Sequence, residues 1–211
     1  MAGSLKCCFF SVVALLALGA IAHGAEFHCS VVPCRFTTRP DGTGKEAHHV
    51  FIIENETRSE SIGFTCEQVT GAATNPHPPT TELTLSEIVY DGCKSGGIAE
   101  ATIATNGCTY LLKSNGEMHL TCPAGKKLEL RALNCVISIG EQWLSGVSYT
   151  TIGTTPSREI TLSFNVAGIA LTVSKACGFN PEHIFVGTYT TGNTILTGES
   201  EAGVMADAWF G

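Results

Sequence analysis

Aspartate is scarce in this chain of 211 residues, where it occurs only at Asp41, Asp91 and Asp207. Calcium loops and paired catalytic aspartates need several such residues close together, so the sequence counts against both. It also lacks Gly-x-Ser-x-Gly, His-Glu-x-x-His and a phosphate-cradling glycine loop, the local signatures of α/β-hydrolases, zinc proteases and nucleotide-binding proteins. A triad assembled from distant positions is not covered by these absences and remains an alternative.

Clusters of basic residues are missing as well, since Lys126-Lys127 is the longest run of positive charge. Without Lys6, which lies in the N-terminal segment discussed next, 11 basic residues face 19 acidic ones, a net charge of about −8. Proteins that bind nucleic acid or anionic membrane surfaces concentrate lysine and arginine on one face. The sequence therefore counts against both kinds of partner.

One long apolar run occurs, over residues 7–22, and it follows the single charge of Lys6 and precedes small residues ending at Ala25. This order is typical of a secretory signal peptide, which we predict over residues 1–25. The run is shorter than the ~20 residues of a membrane-spanning helix, and no comparable stretch follows. We therefore expect an exported, extracellular protein with no membrane span after signal removal.

Eight cysteines remain once Cys7 and Cys8 leave with the signal. An even number in an exported chain indicates disulfides, although spacing alone does not choose among the possible connectivities. We expect pairing in sequence order. The predicted pairs are Cys29–Cys34, Cys66–Cys93, Cys108–Cys122 and Cys135–Cys177. Zinc is the weaker interpretation, because no Cys-x2-Cys occurs and an oxidising compartment favours disulfides.

Residues 108–122, CTYLLKSNGEMHLTC, predict a hairpin closed by Cys108–Cys122 around the loop Ser114-Asn115-Gly116. In three-residue hairpin loops the last position is often left-handed, which suits Gly116. Because strand side chains alternate, Tyr110 and Leu120 then share one apolar face with the cysteines. The competing two-residue loop would place Cys108 opposite Pro123 and spoil the disulfide.

Short segments rich in threonine, valine, isoleucine and glycine recur along the rest of the chain, separated by turns. This pattern predicts an all-β fold, an antiparallel β-sandwich or barrel-like sheets stapled by disulfides. We divide the chain into the signal peptide, a disulfide-rich β domain over 26–140, a second β sheet or domain over 141–200, and a C-terminal tail over 201–211. Three prolines mark residues 71–80 as a loop, and the tail is expected to be frayed or a short helix.

Several short sequences recur here in an order that resembles a group of exported bacterial, β-rich, cysteine-containing proteins without assigned function. They are AEFH at residues 25–28, Tyr-x-x-Cys at 90–93, NGCTY at 106–110, CPxGK at 122–126 and a looser Gly-x-Tyr strand at 187–194. The resemblance covers nearly all of the chain after the signal and implies an extracellular β-rich fold, with no particular activity. The Cys29–Cys34 pair and the Ala-Trp-Phe sequence near the C-terminus depart from the pattern.

A metal site is conceivable at Glu26, Phe27 and His28. If cleavage follows Ala25, a free amine, two deprotonated amides and the third-position histidine could hold Cu(II) or Ni(II) in square-planar geometry. Cleavage after Gly24 would move the histidine to fourth place. We therefore expect no cofactor, with this N-terminal site as the minority alternative.

Trp143, in Glu141-Gln-Trp-Leu between predicted strands, is the best candidate for an exposed aromatic binding contact, although a core tryptophan is the more common outcome. The leading hypothesis is a non-catalytic extracellular module that binds a cell-wall, glycan or protein partner, because reactive residues are not concentrated anywhere. The alternatives are a secreted hydrolase with dispersed Glu and His residues, and a protease inhibitor that presents residues 71–80.

Overall fold

The computed structural model describes residues 24–40, 49–55, 57, 59–75, 77–180, 183–192 and 194–211. All but the last two residues of the predicted signal peptide lie outside these ranges, and so does His48. The described chain is all-β, as the sequence predicts, with one 3-10 turn at Lys175–Cys177. No helix in these ranges is long and apolar enough to cross a membrane.

The described residues form 19 β-strands, which alternate with short turns. They are β1 Phe27–Cys29, β2 Cys34–Pro40, β3 His49–Asn55, β4 Ser61–Cys66, β5 Gln68–Asn75, β6 Glu82–Asp91, β7 Lys94–Ser95, β8 Ala99–Ala104, β9 Thr109–Lys113, β10 Glu117–Thr121, β11 Leu128–Ala132, β12 Cys135–Ile139, β13 Gln142–Ser145, β14 Val147–Ile152, β15 Glu159–Val173, β16 Phe185–Thr191, β17 Thr194–Glu199, β18 Met205–Ala206 and β19 Ala208–Phe210.

The long strand β15 connects two sets of antiparallel pairings. Its C-terminal half closes a ring of eight strands, in the order β15–β16–β3–β4–β7–β8–β11–β12 and back to β15. Its N-terminal half lies in a second sheet, β14–β15–β17–β2–β5–β6–β9–β10–β13. The register shifts between Val166 and Ile169, and such a bulge bends a strand, which lets β15 pass from one set to the other.

A single hydrophobic core lies between these strands, built from alternate residues that point inward. In β12, for example, Cys135, Ile137 and Ile139 are buried, while Val136 and Ser138 between them are partly exposed. Burial of each large side chain contributes about 1.5–3 kcal/mol. The largest fully buried side chains include Phe27, Phe36, Phe64, Leu112, Leu130, Ile137, Ile160 and Leu162.

The predicted hairpin and all four predicted disulfides are confirmed. Strand β9 pairs with β10 so that Tyr110 faces Leu120 and Thr109 faces Thr121, and Gly116 has the expected left-handed φ of 86°. The three-residue loop is therefore correct. The disulfides join Cys29 to Cys34, Cys66 to Cys93, Cys108 to Cys122, and Cys135 to Cys177.

The expectation of a frayed or helical C-terminus is wrong. Strand β18 pairs with β17, and β19 pairs with β1 in a two-stranded sheet, so the C-terminal residues meet the first strand of the described chain. The reason is apolar burial: the ring of Phe210 lies 5.2 Å from that of Phe27 and 4.9 Å from that of Tyr149. The sequence Ala-Trp-Phe forms β19, and its pairing partner is β1, far away in the sequence.

The expectation of a loop over residues 71–80 is wrong for its first half. Strand β5 continues to Asn75, with Ala72, Ala73 and Asn75 buried. The prolines all follow Asn75, so the strand keeps the backbone donors that its ladder needs. Of the segment that the protease-inhibitor alternative presents, residues 71–75 therefore belong to this strand.

Candidate functional site

An exposed tryptophan lies on the outer face of the second sheet. Trp143 belongs to β13, which pairs with β10, and it lies directly opposite His119. Directly opposite residues of antiparallel strands have their side chains in contact, and here the two rings stack with centroids 4.3 Å apart and an angle of 6° between their planes. Trp143 nevertheless keeps 54% of its surface exposed.

Charged groups surround this ring pair. The Nζ atom of Lys113 lies 4.8 Å from the centroid of the Trp143 ring and 3.2 Å from a carboxylate oxygen of Glu82. Glu141 places an oxygen 3.4 Å from His119 Nε2. We call Trp143, His119, Lys113 and Glu141 the Trp143 platform. It combines an exposed aromatic surface with donors and acceptors at its rim.

The second tryptophan, Trp209, also stacks on a histidine, but an arginine contacts its ring as well. Trp209 faces His28 across the β1–β19 pair, and their rings stack with centroids 4.9 Å apart. The guanidinium carbon of Arg158 lies 3.9 Å from the centre of the Trp209 ring. Arg158 also donates to both oxygens of Asp207, which is only 5% exposed. These contacts join β1 to β19 and leave Trp209 partly covered.

The ion pair of Arg158 with Asp207 predicts a loss of stability in acid. Hydrogen bonds from Arg158 hold the pKa of Asp207 below its ordinary value, against the opposing effect of burial. A lowered carboxyl pKa contributes stability that is present above the unfolded pKa of about 3.9 and is lost as the pH falls through the folded value. We expect Asp207→Asn to cost about 3 kcal/mol at pH 7, the lower end for a broken buried pair, because Arg158 keeps some solvent contact.

Urea unfolding of wild type and Asp207→Asn at pH 7, 5 and 3 measures this effect. The difference between the two proteins should be constant from pH 7 to 5 and should shrink below about pH 4. Glu201→Gln, at an exposed position, serves as the control and should match wild type throughout. A difference that stays the same at pH 3 would contradict the assignment.

The geometry of Glu26, Phe27 and His28 does not suit square-planar copper or nickel. The backbone N–H of Phe27, one of the two amides that would have to bind the metal, donates to Thr80 O at 2.7 Å. Phe27 is fully buried, and His28 Nε2 lies 3.2 Å from Gly211 O. Metal binding there would require the hydrogen bond between Phe27 N–H and Thr80 O to break. The described ranges also contain no group of three or more His, Cys, Asp or Glu residues arranged to hold a metal ion.

The other histidines occupy different environments. His49 is buried, with Nδ1 2.8 Å from Tyr189 Oη. Beside it the hydroxyls of Tyr90 and Tyr110 are hydrogen-bonded at 2.7 Å, and burial raises the pKa values of all three tyrosines well above the ordinary value. The three tyrosine hydroxyls therefore stay protonated inside the core. His183, by contrast, pairs with Glu60 at the surface.

Sequence reasoning identified Trp143 but missed its partners. The hairpin register does place His119 and Lys113 on the outer face, which is the signal that was available. The pairing of β10 with β13 brings His119 to Trp143. No pattern in either segment predicts that these two strands are neighbours.

Comparison with protein-family models, with curated proteins and with solved structures finds no match to this chain. The fold and the site together define a disulfide-bonded, all-β protein with an exposed aromatic platform.

Proposed function

We propose that this protein is a secreted β module that binds glycans of a cell wall or cell surface through the Trp143 platform. The observation that carries the proposal is that more than half of the Trp143 surface stays exposed although His119 and Lys113 already contact the ring. Export is supported by the pattern of residues 1–25 and by the four disulfides, which persist in oxidising compartments.

The chemistry of the platform suits a sugar. A pyranose has an apolar face of C–H groups and an equatorial rim of hydroxyls, so it can cover an aromatic ring while its hydroxyls reach polar neighbours. Aromatic rings supply large contact areas with few rotatable bonds, which is why tryptophan dominates many binding sites. Lys113 donates hydrogen bonds, Glu141 accepts them and His119 can do either. Both signs of charge are present, which favours a neutral glycan.

Binding to insoluble chitin, cellulose and peptidoglycan, followed by titration with the matching soluble oligosaccharides, tests the proposal. We expect at least one of these polymers to retain the wild-type protein. Trp143→Ala should weaken that binding about 30-fold, corresponding to loss of an aromatic contact of about 2 kcal/mol. Trp143→Phe should retain part of the affinity.

Ile98→Ala is the control, because Ile98 is almost fully exposed and lies on the β7–β8 turn, away from β13. This variant should bind like wild type. The proposal fails if none of the polymers or oligosaccharides binds, or if Trp143→Ala binds as tightly as wild type.

A further inference from the structure

A groove of about 450 Å³ lies beside the 3-10 turn, between the end of β15 and the start of β16. Its walls are largely apolar, and the rings of Phe179 and Phe185 lie 5.0 Å apart in it. Leu171 and Val173 from β15 contribute aliphatic groups. Ile184 at the groove is 64% exposed. The groove therefore offers apolar walls beside polar side chains and is open to solvent.

A histidine oriented by a carboxylate lies at this groove. His183 Nδ1 lies 2.7 Å from Glu60 Oε2, and since an ionised carboxylate only accepts, Nδ1–H is the donor. The other oxygen of Glu60 accepts from the backbone N–H of Asn180 at 3.2 Å. The hydrogen bond from His183 is also the main reason that the pKa of Glu60 lies below its ordinary value.

A buried asparagine, Asn55, is hydrogen-bonded to Glu60 of this pair. Asn55 is almost fully buried, and its side-chain Nδ2 donates to Glu60 Oε2 at 3.2 Å and to Ser59 Oγ at 2.9 Å. Its Oδ1 accepts from the backbone N–H of Ser59 at 2.9 Å, which orders the turn that carries Glu60. Asn55 Nδ2 also lies 3.0 Å from His183 Nδ1, so the asparagine contacts both members of the pair and holds them in position.

Serine is not positioned as a nucleophile here. Ser174 lines the groove, but its Oγ accepts from Val136 N at 3.0 Å and lies 3.4 Å from Cys177 Sγ. Ser59 is bonded to Asn55 and Thr57. A water molecule is therefore the nucleophile that a base in this groove could activate.

We propose that His183, positioned by Glu60, is the general base of an esterase site that hydrolyses short and medium acyl esters bound in this groove. With Nδ1–H donated to Glu60, Nε2 carries the lone pair and takes a proton from water as the water oxygen forms a bond to the ester carbonyl carbon. The acyl carbon–oxygen bond then breaks. The proton on Nε2 passes to the departing alkoxide, and the products are a carboxylic acid and an alcohol.

A positive charge at the groove can stabilise the negative charge that develops on the carbonyl oxygen, and Lys175 brings one to the groove wall. The amide Nδ2 of Asn180 lies 3.4 Å from His183 Nε2, and in the free protein it donates to the lone pair of the imidazole. Donors placed where charge develops lower the barrier. The apolar walls select the acyl chain. The groove lies at the end of β15 and the Trp143 platform lies on β13, so the esterase proposal does not depend on glycan binding.

Hydrolysis of p-nitrophenyl acetate, butyrate and octanoate by the full chain tests the proposal. We expect kcat/KM to rise with chain length, up to about fourfold for each methylene that enters the groove, a factor equivalent to 0.8 kcal/mol. His183→Ala should lower kcat/KM about 10²–10⁴-fold, and added imidazole should restore part of the rate. Glu60→Gln should lower kcat and leave KM unchanged.

Two further variants are informative: one tests recognition of the acyl chain, and the other is a control for replacing a histidine. Ile184→Ser should reduce the ratio of the octanoate rate to the acetate rate, because it makes one wall of the groove polar. His77→Ala, an exposed histidine on another turn, should match wild type with every ester. The proposal is overturned if wild type is no faster than an equal concentration of free imidazole, if His183→Ala retains wild-type activity, or if the rate does not depend on chain length.

Discussion

Gly146→Ala is expected to destabilise the protein by about 4 kcal/mol. A Cβ atom at this position would lie 2.2 Å from Asn165 O and 2.8 Å from the carbonyl carbon of the same residue. Both are backbone atoms of β15, so neither can rotate away. The overlap is worth about 1–3 kcal/mol or more, and the φ of 107° adds about 1–2 kcal/mol for a residue with a side chain.

The size of the effect comes from the position of Gly146 in the sheet. It joins β13 to β14, and its carbonyl oxygen accepts from Asn165 N at 2.7 Å. Its own N–H donates to Gly116 O at 3.2 Å, in the loop of the β9–β10 hairpin. Moving Gly146 would therefore disturb β15 and the hairpin together.

Urea denaturation of Gly146→Ala measures the loss through the transition midpoint. Gly168→Ala is the matched control, because its φ is 71° but an added Cβ would meet nothing within 4 Å. That control should lose only the conformational cost of about 1–2 kcal/mol. Equal losses in the two variants would show that the close approach to β15 is not what requires glycine at position 146.

Removal of the Cys135–Cys177 disulfide by a double alanine substitution is expected to cost about 4 kcal/mol. On the chain-entropy model the stabilisation grows with the length of the closed loop, and these cysteines are separated by 42 positions. The bond ties the start of β12 to the 3-10 turn after β15, so it also closes one end of the eight-stranded ring.

The double alanine substitution of Cys29 and Cys34 is the control, because their separation is only 5. The same model gives about 2 kcal/mol for this loop. Both variants lose one pair of sulfur atoms, so their difference isolates loop length. Denaturation under oxidising conditions measures both. A Cys29/Cys34 variant that loses as much as the Cys135/Cys177 variant would contradict the loop-length explanation.

The hairpin over residues 108–122 was predictable because its determinants are local. Cysteine spacing, the position of Gly116 and the alternation of apolar residues all require the same register. The four disulfides join the cysteines in sequence order, as expected, although their spacing alone did not require that connectivity. The C-terminal strands were missed because β18 and β19 are two and three residues long, too short for alternation to be seen.

The candidate binding residues likewise include one that was predictable from the sequence and others that were not. Trp143 was identified as a candidate contact because its segment was expected to lie between strands, and the structure instead places it within β13. The stack of His119 on Trp143 and the pair of His183 with Glu60 join positions 24 and 123 residues apart. Nothing in the local sequence marks either pair.

By itself the amino-acid sequence determined the strand-forming alternation, the central hairpin and the all-β class, because each of these depends on residues close together in the chain. Tertiary structure decided the closure of the eight-stranded ring, the pairing of β1 with β19, and the partners of Trp143 and His183. These features depend on which distant strands become neighbours. Burial of a shared core selects those neighbours, and that energy is summed over the whole molecule and is not encoded in any one segment.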